Sequence, residues 1–171
     1  EATAEAIDSE DWLHTGDIGK MTPDGKLCIT DRKKDIIVLA NGKNVAPQPI
    51  EACLKRSPFI SEIVLLGDRQ SSIVAIVVPA FDRLRTWAIQ NELPVTDLEG
   101  LLKRTETRKL FKEEIDRLSG HLADFERIKR FTLLSEPFSI ETGELTPTLK
   151  VKRRVIRERY AALIEQMSGS A

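Results

Sequence analysis

Ile60-Ser61-Glu62-Ile63-Val64-Leu65-Leu66-Gly67-Asp68-Arg69-Gln70-Ser71-Ser72-Ile73-Val74-Ala75-Ile76-Val77-Val78 is the stretch on which the fold turns. Two apolar, β-branched runs, Ile60 to Leu66 and Ser72 to Val78, flank the polar group Gly67-Asp68-Arg69-Gln70. The pattern predicts a β-hairpin whose strands are largely buried. Upstream, Lys26 to Thr30 and Ile36 to Leu39 read as short strands, and Thr22-Pro23-Asp24-Gly25 and Asn41-Gly42 as turns. Pro47 and Pro49 suit the first turn of a helix reaching about Arg56, with Ile50 and Leu54 on its inner face.

Downstream, Phe81 to Gln90, Val95 to Lys103 and Thr105 to Leu118 read as helices. The last carries Leu110, Phe111, Ile115 and Leu118 on one stripe. Arg127 to Leu134 reads as a strand, Glu141-Thr142-Gly143 as a loop, and Lys150 to about Gln166 as a final helix. Strands and helices in this order imply an α+β fold, a small mixed or antiparallel sheet with packed helices, rather than a doubly wound sheet.

The 171 residues suffice for one compact domain with an appendage, and 41% hydrophobic residues imply a packed core. A formal net charge of −1 gives no global attraction to nucleic acid or to an anionic surface. No apolar run reaches the length of a membrane span, and the acidic stretch Glu1 to Glu10 is unlike a signal peptide. Cys28 and Cys53 lack metal-ligand spacing and read as reduced, partly buried thiols. His14 and His121 belong to no ligand motif, so no metal site is expected.

Four stretches could carry chemistry. In Thr15-Gly16-Asp17, a carboxylate beside a glycine can accept hydrogen bonds from a diol such as ribose; a plain turn is the alternative. In Asp31-Arg32-Lys33-Lys34-Asp35, Arg32 offers a fork of donors to an oxygen-rich ligand. That pentapeptide reads either as a solvated hairpin turn or as an interdomain hinge. Gly42-Lys43-Asn44 could let a narrow ligand arm pass the backbone, or be an ordinary turn. Lys150, Lys152, Arg153 and Arg154 crowd the start of the final helix, where cations are disfavoured. They read as a solvated face, as a patch for acidic lipid or nucleic acid, or as the binding place of a phosphate.

Taken in order, these stretches resemble the adenylate-forming superfamily of acyl-CoA synthetases, peptide-synthetase adenylation domains and luciferases. Asp11-Trp12-Leu13-His14-Thr15-Gly16-Asp17-Ile18-Gly19 is similar to that family's ribose-binding motif. Thr30 to Asp35 is similar to its hinge, and Asn41 to Pro47 to the loop after it. Gly143-Glu144-Leu145-Thr146-Pro147-Thr148-Leu149-Lys150 is similar to its terminal lysine motif, in the form typical of long-chain acyl-CoA synthetases.

The resemblance implies three parts. Residues 1–30 would be the tail of the large N-terminal adenylation domain, 31–35 the hinge, and 36–171 the C-terminal lid. The implied reaction joins a fatty acid to CoA through an acyl-adenylate, using ATP and Mg²⁺, with the main Mg²⁺ ligand outside this chain. Asp17 and Arg32 would bind the nucleotide. Lys150 would serve adenylation as a fixed positive charge rather than a general base. Asp31 and Lys34 belong to the expected hinge, with the pivot at Lys34. Gly42 and Lys43 would line the CoA passage after the lid swings. Asn41 stands where several members place a lysine.

The family's phosphate-gripping loop lies upstream of the ribose motif and has no counterpart here, so the chain alone is expected to be inactive. The expected partners are the large domain of the same polypeptide and the substrates ATP, fatty acid and CoA, with no nucleic acid. The expected location is the cytoplasm, with a peripheral contact at the inner face of a membrane left open. Two alternatives stand beside this reading: a lid acting on another carboxylic acid, and a non-catalytic module docking through Lys150 to Arg157.

Overall fold

The structure is a computed structural model that describes residues 7–169. The first six residues of the expected 1–30 segment lie outside the described residues. The hairpin read from the sequence is the centre of the molecule. Strands β5 (Ile60–Leu66) and β6 (Ile73–Pro79) pair antiparallel, with Ile63 opposite Val77 and Leu65 opposite Ala75. A third strand, β7 (Ile128–Leu133), adds parallel to β6, giving a mixed sheet in the order β5-β6-β7.

The unbroken apolar runs follow from burial on both faces of this sheet. Ile63, Leu65, Ile73, Ala75 and Val77 face one core. There they meet helices α1 (Pro47–Leu54), α2 (Phe81–Gln90), α3 (Leu98–Lys103) and α4 (Thr105–Ser119), through Ile50 and Leu54, Leu84 and Ala88, Leu101 and Leu102, and Phe111 and Ile115. Val64, Leu66, Val74, Ile76 and Val78 face the other core. There they meet α5 (Arg153–Arg159) and α6 (Ala161–Gly169) through Ile156, Ile164 and Met167. Successive strand residues point to opposite faces, so one hairpin supplies the middle layer of a three-layer sandwich.

Two small antiparallel pairs precede this body. Strands β1 (Asp17–Met21) and β2 (Leu27–Arg32) form a ribbon closed by a turn with Gly25 at φ +80. Met21, Leu27 and Ile29 are exposed on it. After one 3₁₀ turn, Lys33–Asp35, strands β3 (Ile37–Val38) and β4 (Asn44–Val45) form a second pair. Gly42, at φ +78, makes its turn.

Several expectations are corrected. The Thr15-Gly16-Asp17 stretch runs directly into β1, which the turn from Thr22 to Gly25 folds back onto β2. Cys28 is exposed on that ribbon; only Cys53 is partly buried. The charged pentapeptide is not a hairpin turn: Asp31 and Arg32 end β2, and the next three residues form the 3₁₀ turn. The third helix starts at Leu98 rather than Val95, because the Asp97 carboxylate accepts from the N–H groups of Glu99 and Gly100 at 3.1 and 2.8 Å. The final helix starts at Arg153 and breaks at Tyr160, where φ −105 and ψ 22 leave the helical region. Lys150 and Lys152 therefore precede it. Among the described residues, no helix is long and apolar enough to cross a membrane.

Candidate nucleotide cleft

Asp17 and Arg32 are strand partners at one end of the β1–β2 ribbon. Neighbouring positions bring their side chains together, with Arg32 Nε 3.2 Å from Asp17 Oδ1. Thr15 Oγ1 accepts from the Asp17 N–H at 3.1 Å, which sets the turn entering the strand.

Lys150 reaches the same place from the far end of the chain. The segment from Leu145 to Val151 doubles back on itself, and these two residues form an antiparallel bridge. Within it the Thr146 N–H donates to the Lys150 carbonyl at 2.8 Å. The Lys150 N–H donates to Thr146 Oγ1 at 3.0 Å. Leu149 closes the tip in the left-handed region, at φ +58. Lys150 is exposed at this tip. Among the described residues, no carboxylate lies within ion-pair distance of its ammonium.

One cleft of about 1070 Å³ is lined by Asp17, Asp31 and Arg32 from the ribbon, Lys34 from the 3₁₀ turn and Lys150 from the terminal turn. The structure thus gathers the expected nucleotide-binding pair, the expected hinge residues and the expected adenylation lysine. It does not bring Gly42 and Lys43 there. They lie at the β3–β4 turn, where the Lys43 ammonium sits 4.5 Å from the centre of the Phe125 ring. Asn41 Oδ1 accepts from the Lys43 N–H at 3.1 Å, so Asn41 shapes that turn.

Two carboxylates escape sequence reasoning, Glu51 in the cleft lining and Glu144 outside it. Glu51 on α1 receives Arg153 in two parallel bonds of 2.7 and 2.9 Å, and also accepts from the Leu65 N–H at 2.7 Å. The crowding of cations before α5 therefore has a structural part: Arg153 serves an internal pair, and Arg154 lies 3.6 Å from Glu158. No local signal links Glu51 to a partner so distant in sequence. The second carboxylate, Glu144, is 2% exposed. Burial pushes its carboxyl up, but hydrogen bonds from Thr142, Ser139 and Tyr160, with the charge of Arg159, hold it below the usual value. Burial, then the bond to Glu144, pushes the Tyr160 hydroxyl up to about 12. An acid beside a basic motif was the only available sign of this residue.

The cleft lining mixes carboxylates, guanidinium groups and ammonium groups, among them the exposed Lys150, a set that can meet an anionic, hydroxyl-bearing ligand. Among the described residues, no group of three or more His, Cys, Asp or Glu side chains could hold a metal ion.

The family model described as AMP-binding enzyme C-terminal domain matches residues 34–170. The human long-chain-fatty-acid–CoA ligase 1 is 40% identical over 168 residues, covering 96% of this chain and 24% of that protein. The peroxisomal long chain acyl-CoA synthetase 6 of Arabidopsis thaliana is 39% identical over the same shares. The adenylation domain of a carboxylate reductase from Mycobacterium chelonae superposes with a TM-score of 0.80 at 26% identity, covering 99% of this chain and 25% of that one. A solved adenylation domain of carboxylic acid reductase from Segniliparus rugosus, in complex with AMP, gives a TM-score of 0.82 at 24% identity, covering 99% of this chain and 25% of that one. The chain spans about a quarter of the length of these relatives. With four fifths of its residues inside the matched span, the chain belongs to the AMP-binding enzyme C-terminal domain family.

Proposed function

We propose that this chain is the lid, hinge and adjoining ribbon of a long-chain fatty acid–CoA ligase, which converts ATP, a fatty acid and CoA into acyl-CoA, AMP and diphosphate. The observation that carries the reading is the shared cleft: Lys150 lines it together with Asp17 and Arg32, although it lies 133 positions beyond Asp17 in sequence. Asp17 holds the ribose hydroxyls. Arg32, braced by Asp17, contacts the ribose or phosphate side of the nucleotide. Lys150 places a fixed positive charge beside the negative charge that develops on the α-phosphate and carboxylate oxygens. Mg²⁺ accompanies ATP, and its main ligand belongs to the large domain.

Residues 1–30 belong to that large domain, 31–35 form the hinge with Lys34 as pivot, and 36–171 form the lid. After adenylation the lid turns about Lys34, withdraws Lys150 and brings Gly42 and Lys43 to the CoA passage. Exposed apolar residues of the ribbon, such as Leu27 and Ile29, suit contact with the rest of the large domain. The enzyme works in the cytoplasm and meets its bilayer-partitioning acid by peripheral contact. The alternative of a docking module built on Lys150 to Arg157 is weakened by the internal use of Arg153, whose guanidinium is committed to Glu51.

The test uses the full-length protein. Lys150→Ala should slow acyl-adenylate formation by roughly a hundredfold to a thousandfold, the usual cost of deleting one group that stabilises developing charge. Thioester formation from preformed acyl-adenylate should stay within a few-fold of wild type. Equal losses in both steps would overturn the assignment of Lys150.

A further inference from the structure

Glu144 is a buried acid in a loop, and its carboxylate is saturated. Oε2 accepts from the Ser139 N–H at 3.2 Å and from the Thr142 hydroxyl. Oε1 accepts from the Tyr160 hydroxyl at 2.9 Å and lies 3.3 Å from Arg159 Nε. Both oxygens are thus engaged by neighbouring donors. Its backbone completes the arrangement: the Glu144 carbonyl accepts from the Lys152 N–H at 2.7 Å. The next residue, Leu145, bridges to Val151, and inside that bridge sits the turn that displays Lys150. Glu144 therefore pins the stem of the lysine turn to the joint where α5 breaks at Tyr160. Phe138, 6.4 Å from the Tyr160 ring between centroids, packs behind that joint.

We propose that Glu144, held by Tyr160 and Arg159, is a positioning residue for Lys150. The proposal rests on the reading of Lys150 given above. A flexible lysine must lose rotamer and backbone freedom to meet developing charge, and that cost falls on the barrier unless the fold has already met it. The Glu144 clamp supplies that order.

The experiment is a double-mutant cycle in the full-length protein, with amide hydrogen exchange at residues 145–152 as an independent readout. Glu144→Gln keeps the shape and removes the charge. Exchange in this segment should rise, and acyl-adenylate formation should slow by about tenfold, a size ordinary for coupled neighbours. The KM for ATP and the thioester step should stay within about twofold on the same reasoning. In the Lys150→Ala background, Glu144→Gln should add no further loss, because it acts only through the lysine. Tyr160→Phe, which keeps the ring and deletes one donor, should shift every readout the same way by less, and it stands in should Glu144→Gln fail to fold.

Unchanged exchange, or a Glu144→Gln loss that persists without Lys150, would overturn the proposal while leaving the role of Lys150 intact. An adenylation rate indifferent to Lys150→Ala would instead remove the reading on which it rests, and the proposal with it.

Discussion

The carboxylate of Asp31, 1% exposed, accepts from the backbone N–H of Gln48 at 3.1 Å and from the N–H of Arg32 at 2.7 Å. Asp31 lies near the end of β2, and Gln48 is the second residue of α1. The N-terminal N–H groups of a helix lack partners within the helix, and the helix dipole favours an anion there. The ribbon thus supplies the cap that α1 lacks, since Ala46 at its N-cap makes no side-chain bond. If Lys34 is the pivot, this bond joins a residue before it to one after it, and rotation of the lid must break it.

Asp31→Ala should therefore destabilise the described arrangement by about 1–2 kcal/mol, the usual cost of deleting a cap. Urea unfolding measures this loss. In the full-length enzyme the same change should favour the swung lid, raising the thioester rate relative to the adenylation rate. A ratio that moves toward adenylation would argue against a latch.

Arg153→Ala should cost more, about 3–5 kcal/mol, because it strands the Glu51 carboxylate where water reaches it poorly. Arg153→Lys should recover only part of this, since an ammonium cannot make the two parallel bonds. Comparing the two variants by denaturant midpoint separates loss of charge from loss of geometry.

Gly42 occupies the left-handed region, and a methyl group added there would meet nothing within 4 Å. Gly42→Ala should thus cost only about 1–2 kcal/mol of backbone strain. Were Gly42 part of the CoA passage, thioester formation would slow while adenylation kept its rate. Equal slowing of both half-reactions would assign the glycine to folding alone.

The Glu144–Tyr160 pair gives opposite pH signatures. The Glu144 carboxyl is held below its ordinary 4.5, so its contribution to stability is present above about that pH and is lost as acid protonates it. The Tyr160 hydroxyl is raised from 10.0 to about 12, so its contribution is full below pH 10 and fades between there and 12. The stability gap between wild type and Tyr160→Phe should accordingly shrink across that alkaline window, as thermal unfolding in matched buffers would show. A gap constant across the window would mean that the hydroxyl is not held by the carboxylate.

The central hairpin, the span Phe81 to Gln90 and the buried stripe of α4 were legible because each depends on residues near one another in the chain. Apolar period, turn chemistry and proline placement act within a few positions. The same is true of the short motifs whose order pointed to the family. The sequence by itself therefore determined an α+β domain of the adenylate-forming type and singled out Asp17, Arg32 and Lys150. Only the tertiary structure decided that β1 pairs with β2 and sets Asp17 against Arg32, and that Arg153 belongs to Glu51. It also decided that the last helix breaks at Tyr160, whose hydroxyl meets Glu144, and that Lys150 precedes the helix instead of starting it. Apart from the β1–β2 ribbon, whose strands are joined by a short turn, these are contacts between segments well separated in the chain. Their energy comes from apolar burial and from pairing groups that local pattern cannot connect, so they exist only once the layers have packed.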